Sequence, residues 1–158
     1  MDPTEQDQRE RLFVEEVGLM LEQVGLPRMA GRILGRLLIC QPDHQSSAEL
    51  TDYLRASKAS ISTSTRLLQQ VGLIQRVPVA GSRESWFAVR PDTFDGLFQA
   101  ELVKTRLARE LLDRGLTLLA DRPPAQAARL RQMRDLYAFF ERELPALMER
   151  WHQEKEPR

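Results

Sequence analysis

Residues 46–72, SSAELTDYLRASKASISTSTRLLQQVG, decide the fold of this chain. Ser46 and Glu49 have the S-x-x-E spacing of a capping box, in which a hydroxyl and a carboxylate bind the first free backbone amides of a helix. A second helix is predicted over Ser57–Val71, and Ser57 can cap it through its side-chain oxygen. Gly72 can end that helix, because glycine readily adopts the left-handed backbone conformation. The stretch therefore predicts two helices in close succession.

Helices are predicted before this pair and a β-hairpin after it. Apolar residues at steps of three and four predict helices over Thr4–Val24 and Arg28–Cys40. Leu73–Val79 and Ser85–Val89 are rich in β-branched and aromatic residues, which is typical of strands. The strand that contains Pro78 must lie at a sheet edge, because proline has no amide hydrogen to donate. The order of elements predicts a mainly α winged helix-turn-helix with a small β-hairpin wing.

Each of the two N-terminal helices has one predicted buried face. Gln41–His44 is predicted to end the second helix. In the first helix the apolar stripe is Phe13, Val17, Met20 and Val24. In the second helix the apolar side is Ala30, Ile33, Leu34, Leu37 and Leu38, with Arg28, Arg32 and Arg36 opposite. Arg32 and Arg36 can either contact phosphate or only keep the surface solvated, and the same holds for Arg76 in the hairpin.

The Ser57–Val71 helix has two different sides when it is projected at 100° per residue. One side is predicted to face the core and consists of Ile61, Ser64, Thr65, Leu68 and Val71. The other side consists of Ala59, Ser62, Thr63, Arg66 and Gln70. Small residues and hydroxyls allow close approach to base edges, and arginine can bind guanine through two hydrogen bonds. This outer side therefore predicts contact with double-stranded DNA, although it could also be a solvated helix face.

The predicted DNA contacts extend from this helix to the hairpin tip. Free amides and the helix dipole at the helix N-terminus favour a phosphate there. Arg83 in the tip can reach a neighbouring minor groove, or it can be a solvated turn residue. The predicted DNA-binding residues are Ser57, Lys58, Ala59, Ser60, Ser62, Thr63, Arg66 and Arg83.

The charge distribution supports this interpretation, although the whole chain has a formal net charge of zero. Residues 1–27 contain seven acidic residues and two arginines, whereas residues 28–90 contain nine Lys/Arg and four acidic residues. Residues 91–158 contain twelve of each sign. A basic segment between acidic and neutral flanks is typical of a protein that binds phosphates with one face only.

Two amphipathic helices are predicted after the hairpin, one over about Asp92–Asp121 and one beyond Pro123 and Pro124. The last helix has a predicted kink at Pro145 and an apolar stripe made of Met133, Tyr137, Phe140, Leu144, Leu147 and Trp151. The terminal helices carry more apolar surface than one small winged domain can cover. We therefore expect a homodimer, the alternative being that these helices fold back on their own core.

The predicted organisation has three parts. Residues 1–27 form an N-terminal dimerisation helix, residues 28–90 the winged helix-turn-helix DNA-binding domain, and residues 91–158 a C-terminal helical dimerisation region. A dimer would place two DNA-reading helices about 34 Å apart, which matches half-sites about 10 base pairs apart.

Several short motifs resemble the GbsR branch of the MarR-type bacterial regulators. They are Met29–Leu38, Ser57–Thr63, Leu67–Leu68 and Val71–Ile74, and the resemblance is close over residues 28–90. It implies a dimeric regulator, usually a repressor, that binds a pseudo-palindromic operator and often responds to a small molecule. It also implies that Ser57–Leu68 enters the major groove and that Val79–Trp86 forms the wing. One departure is that the tip, Gly81–Glu84, has a single arginine where relatives are more basic.

A small-molecule effector is a further expectation. Aromatic residues concentrate where the winged domain meets the C-terminal helices, and an apolar pocket there could use Trp86, Phe87, Phe94 and Phe98. Core packing is the alternative explanation for these side chains.

Other classes of protein are disfavoured. The sequence contains no catalytic constellation, no metal-ligand cluster and no phosphate-binding glycine loop, so we expect no enzyme, no metal and no cofactor. It contains no apolar run long enough for a bilayer and no basic leader, so we expect no membrane partner and a cytoplasmic location. The competing hypothesis is a winged-helix protein–protein interaction module or co-regulator without DNA binding.

Overall fold

The chain forms helices at both ends and a small sheet between them. The computed structural model describes residues 3–91 and 93–155, without the side chains of Pro3, Phe94 and Lys155. The elements in chain order are α1 (Pro3–Gln23), α2 (Arg28–Ile39), β1 (His44–Ser46), α3 (Ser47–Leu54), α4 (Lys58–Gln70), β2 (Ile74–Val77), β3 (Trp86–Val89), α5 (Thr93–Leu118) and α6 (Pro124–Lys155). They belong to two compact units, Met1–Leu97 and Phe98–Arg158. The predicted fold class, mainly α with a small wing, is confirmed.

The helix-turn-helix begins and ends at the caps that the sequence predicts. The amide of Glu49 donates to Ser46 Oγ at 3.1 Å, and the amide of Ser46 donates to Glu49 Oε2 at 2.7 Å. Together these two bonds complete the capping box of α3. Ser57 caps α4 by accepting a hydrogen bond from the amide of Ser60 at 3.1 Å. Gly72 follows α4 with a φ of 78°, where glycine avoids the strain that a side chain would introduce.

The sheet has a third strand that the sequence pattern did not predict. Its order is β1-β3-β2, and both pairings are antiparallel, with Gln45 and Arg76 opposite Phe87. The break predicted at Gln41–His44 therefore ends in β1, which has three residues and is too short to show an alternating pattern. β2 lies at the edge of the sheet as predicted, but it ends at Val77, so Pro78 lies directly after the strand and not within it.

The first unit is built on a close contact between α1 and α2. A Cβ atom on Gly31 would lie 2.7 Å from both the Gly18 Cα and the Val17 carbonyl oxygen, so only glycine fits at this position without a shift of backbone. Cores are packed to near-crystalline density, and such contacts tolerate little added volume. The buried cluster around this contact includes Val14, Leu21, Ala30, Ile33, Leu34, Leu37, Leu50, Leu54, Ile61, Leu68, Leu73, Ile74 and Phe87.

Three predicted facings were wrong. α1 buries Val17 as predicted, together with Val14 and Leu21, but it leaves exposed the other members of the predicted stripe, Phe13, Met20 and Val24. The apolar arc of α1 is wider than the surface of α2 that covers it. Most of the predicted stripe therefore lies on the part of the arc that α2 leaves exposed. Leu38 in the last turn of α2 is 51% exposed, and Val71, the C-cap of α4, is 37% exposed.

The second unit pairs α5 with α6 through a chain of ion pairs. Asp113 accepts from Arg134 Nε at 2.8 Å and from Arg109 Nη1 at 2.6 Å, and Arg109 also donates to Glu141. The hydrogen bond from Arg134 lowers the pKa of Asp113, and the hydrogen bond from Arg109 lowers the pKa of Glu141.

Apolar side chains of α5 and α6 remain largely exposed. They include Val103, Leu107, Leu111, Leu118, Met133, Leu136, Phe139, Phe140, Leu147 and Trp151. Patches of this extent on an isolated chain usually mark an interaction surface. Within residues 3–91 and 93–155, no helix has the length and hydropathy needed to span a membrane.

The close contact at Gly31 predicts that a glycine-to-alanine substitution there changes the free energy of unfolding differently from the same substitution at Gly96. Gly31→Ala should destabilise the protein by about 1–3 kcal/mol, because the new methyl group overlaps the backbone of α1. Gly96→Ala, whose added Cβ would meet no atom within 4 Å beyond its chain neighbours and the backbone of its own helix, should be neutral or stabilise by up to about 1 kcal/mol through helix propensity. Urea unfolding of both variants measures the difference. Equal stability of the two variants would contradict the close packing.

The Asp113 ion pairs predict a pH-dependent effect. The pKa of Asp113 is lowered below its ordinary 3.8 in the folded protein, so its stabilising contribution is present above that value and is lost as the pH falls through the folded pKa. Asp113→Asn should therefore lower the melting temperature at neutral pH, and the difference from wild type should shrink as the pH falls below 3.8 and through the lowered pKa of Asp113. Asp121→Asn, which removes an exposed carboxylate, is the control. A difference that stays constant with pH would contradict the assignment.

Candidate nucleic-acid interface

The two sides of α4 are separated as the sequence predicts. Ile61, Ser64, Thr65 and Leu68 are buried on the inner side. On the outer side the exposed residues are Ala59, Ser62, Thr63, Arg66 and Gln70. The inner hydroxyl of Thr65 is satisfied within the helix, since its Oγ1 donates to the carbonyl of Ile61 at 2.8 Å. In the described part of the chain the side chains of Ser62, Thr63 and Arg66 form no hydrogen bond or ion pair, so they are available for a partner.

The start of α4 combines a cap with a positive end. Ser57 is exposed and uses its Oγ to cap the helix, which leaves its hydroxyl hydrogen free to donate. Lys58 is exposed in the first turn, and Ser60 is half-buried beside it. The unpaired amides and the helix dipole at this end add to the lysine charge. The arrangement is suited to a phosphate group.

A cleft of about 480 Å³ runs between α3, α4 and the hairpin. It is lined by Ser47, Ala48, Thr51, Lys58, Ser62, Thr65, Arg66, Gln69, Arg76, Glu84, Ser85 and Phe87. Lys58, Ser62 and Arg66 are predicted DNA contacts that the fold brings together here. Ser47 and Thr51 also line the cleft but were not among the predicted DNA contacts. Their place there depends on how α3 packs beside α4, which has no local sequence signal.

The hairpin tip presents one arginine. Gly81 has a φ of 79° in the turn, and Ser82 organises the tip by accepting hydrogen bonds from Trp86 Nε1 at 2.8 Å and from the Glu84 amide at 3.2 Å. Arg83 is exposed. Within the described part of the chain its guanidinium makes no hydrogen bond or ion pair. It is therefore free to contact a ligand next to α4.

Three other arginines have partners inside the protein. Arg32 binds Glu15 and a backbone carbonyl of α3, and Arg36 binds Glu10 and Gln45. Arg76 donates to Ser85 Oγ across the hairpin. Arg32 and Arg36 thus fit neither of the two roles that the sequence left open, because both form bonds inside the first unit. Arg76 also lines the cleft.

The aromatic residues predicted to bind an effector have different environments. Phe87 is 4% exposed and belongs to the core, while Trp86 is half-buried and its ring contacts that of His44 edge-on, with centroids 5.4 Å apart. Phe98 is half-buried on α5. The side chain of Phe94 lies outside the described residues. Packing accounts for Phe87, and the effector role of the set stays a prediction.

Comparison with known proteins gives a consistent result. A family profile described as "MmpR5-like MarR family transcriptional regulator" matches residues 92–154. The HTH-type transcriptional regulator MmpR5 of Mycobacterium tuberculosis is 43% identical over 141 residues, which cover 89% of this chain and 86% of that protein. A crystal structure described as that of a transcriptional regulator is 41% identical, with a TM-score of 0.75, and covers 92% of this chain and 99% of that one.

These matches confirm the MarR-type part of the predicted resemblance, whereas the GbsR branch stays a prediction. The profile matches the C-terminal helices, where the sequence analysis found only a helical pattern. Transcriptional regulators of this kind are not a class of enzyme. The chain belongs to the MmpR5-like MarR family of transcriptional regulators.

Proposed function

We propose that the chain regulates transcription as a homodimer that binds a specific site on double-stranded DNA, with α4 in the major groove. The single observation that carries the proposal is the outer side of α4, where Ser62, Thr63 and Arg66 are exposed. These residues lie beside a cleft that also contains Lys58 and Arg76. A face of hydroxyls and cations suits DNA, whereas a protein-docking face would be more apolar at its centre.

Each part of the surface has a proposed role on DNA. Arg66 binds a guanine through O6 and N7, and Ser62 and Thr63 pair with neighbouring base edges. Lys58 and the amides at the start of α4 hold a phosphate. Arg83 enters the adjacent minor groove, whose narrow stretches attract arginine. Ser57, Ala59 and Ser60 complete the contact at the helix start.

The homodimer is supported by uncovered apolar surface at both ends of the chain. α1 leaves Phe13, Met20 and Val24 exposed after packing on α2, and α5 and α6 expose further leucine and phenylalanine side chains. A second copy would bury these faces by isologous packing. Two copies of α4 would then bind half-sites about 10 base pairs apart.

The family supplies the finer parts of the proposal. The sequence motifs of residues 28–90 favour the GbsR branch, a repressor role and a response to a small molecule. A protein that binds chromosomal DNA acts where that DNA is, so we propose a cytoplasmic location in a bacterial cell.

Selection of bound duplexes from a random pool tests the proposal. The purified protein should enrich a pseudo-palindrome whose half-sites are centred about 10 base pairs apart. Its affinity for the enriched duplex should fall steeply with salt. In a plot of log affinity against log salt concentration, each phosphate contact should make the slope steeper by nearly one unit. Failure to enrich any sequence, together with salt-insensitive retention, would contradict DNA binding and favour a protein-interaction module.

Arg66→Ala should weaken binding to the enriched duplex by about 1–3 kcal/mol, since it removes a bidentate contact to a base. Binding to random duplex should change much less. Arg114→Ala, which removes an equal charge from an exposed position on α5, is the matched control and should leave both affinities unchanged. Fluorescence anisotropy with the two duplexes measures the effect. An Arg66→Ala variant with unchanged operator affinity would exclude this residue from base reading.

A further inference from the structure

The end of α3 is held by two arginines that come from other helices. α3 ends at Leu54, whose carbonyl accepts a hydrogen bond from Arg32 Nη2 of α2 at 3.1 Å. The preceding carbonyl, that of Tyr53, accepts from Arg11 Nη1 of α1 at 3.1 Å. The last carbonyls of a helix have no partner within the helix and carry the negative end of its dipole. Guanidinium groups are well matched to them in charge and geometry.

Arg32 joins three helices at once. While its Nη2 binds the end of α3, its Nε donates to Glu15 Oε1 of α1 at 2.7 Å. The side chain is 22% exposed, so both bonds are partly shielded from water. Glu15 uses its other oxygen to accept from Arg28 at 3.0 Å. Arg28 therefore shares the carboxylate with Arg32 but has no bond to α3.

The ring of Tyr53 adds a second connection between the same helices. The guanidiniums of Arg11 and Arg36 lie 4.6 Å and 4.0 Å from its centroid, within the range of cation–π attraction. Its hydroxyl is buried without a hydrogen-bond partner in the described part of the chain. Burial raises the pKa of Tyr53, so the ring stays neutral. The ring contacts and the backbone carbonyl, not the hydroxyl, hold this residue in place.

The turn that follows α3 directs α4. Arg55 adopts a left-handed conformation with a φ of 49°, and the amide of Ala56 returns to the carbonyl of Thr51 at 3.1 Å. α4 starts at Lys58, so only a few residues separate the held carbonyls from the DNA-facing helix. A small rotation of this turn would move the outer side of α4 relative to a groove, where positions must match to a fraction of an ångström.

We infer that Arg32 and Arg11 are positioning residues for α4, fixing the end of α3 to α1 and α2 so that α4 meets DNA at one angle. The inference rests on the proposed function, since its consequence is measured on DNA. Partly exposed ion pairs contribute little to global stability, and the glycine contact and the apolar core already hold α1, α2 and α3 together. These two arginines therefore set the orientation of α4 and contribute little to the free energy of unfolding.

Arg32→Lys tests the inference, because one ammonium group can keep the charge beside Glu15 but cannot bridge it and the Leu54 carbonyl in the same geometry. We expect the melting temperature to change little. Amide exchange at residues 55–61 should become at least about fivefold faster. The ratio of operator affinity to random-duplex affinity should fall about tenfold, with binding to random duplex nearly unchanged. Arg11→Lys should act in the same direction.

Arg28→Lys is the matched control, since Arg28 binds the same carboxylate and forms no hydrogen bond to the described residues of α3. It should leave both the exchange rates and the affinity ratio at wild-type values. The inference is overturned if Arg32→Lys behaves like this control, or if it weakens both duplexes in parallel with a general loss of stability. Exchange at residues 55–61 is measured without DNA. A wild type without a preferred duplex would therefore defeat the proposed function, while the exchange result would still decide whether the arginines hold the turn.

Discussion

Ile61 and Leu68 are almost completely buried, and they pack one side of α4 against α2 and α3. Because a helix repeats every 3.6 residues, burial of this side forces Ser62, Thr63 and Arg66 to face outward. This packing therefore also directs Ser62 and Arg66 into the cleft. A change that rotated α4 by one residue would bury the hydroxyls and expose the apolar residues.

Features determined by neighbouring residues could be predicted from the sequence. Ser46, Ser57 and Gly72 act at the helix ends through their own side chains or backbone freedom, so the limits of α3 and α4 were predictable. β1 was missed because it exists only through pairing with β3. Val14 and Leu21, which α1 buries beside Val17, were also not predicted, since only the approach of α2 at Gly31 decides which apolar residues are covered. Which arginines are free depended likewise on distant partners.

Charge counting alone overestimates the surface available to DNA. Residues 28–90 have an excess of basic residues, but Arg28 and Arg32 bind Glu15, and Arg36 binds Glu10. These ion pairs join the acidic segment, residues 1–27, to the basic segment, residues 28–90. Part of the charge difference between the two segments therefore belongs to an internal interface. The remaining cations concentrate around α4 and the hairpin. The free positive charge is thus smaller than the composition suggests, and it is more localised.

Methylation interference on the selected operator tests most directly whether the outer side of α4 lies in the major groove. Guanine N7 is exposed only in that groove, whereas adenine N3 is exposed in the minor groove. We expect N7 methylation of a guanine in each half-site to block binding of the wild-type protein, and the Arg66→Ala variant to lose sensitivity at that guanine. Interference confined to adenine N3, or its complete absence, would contradict the placement of α4.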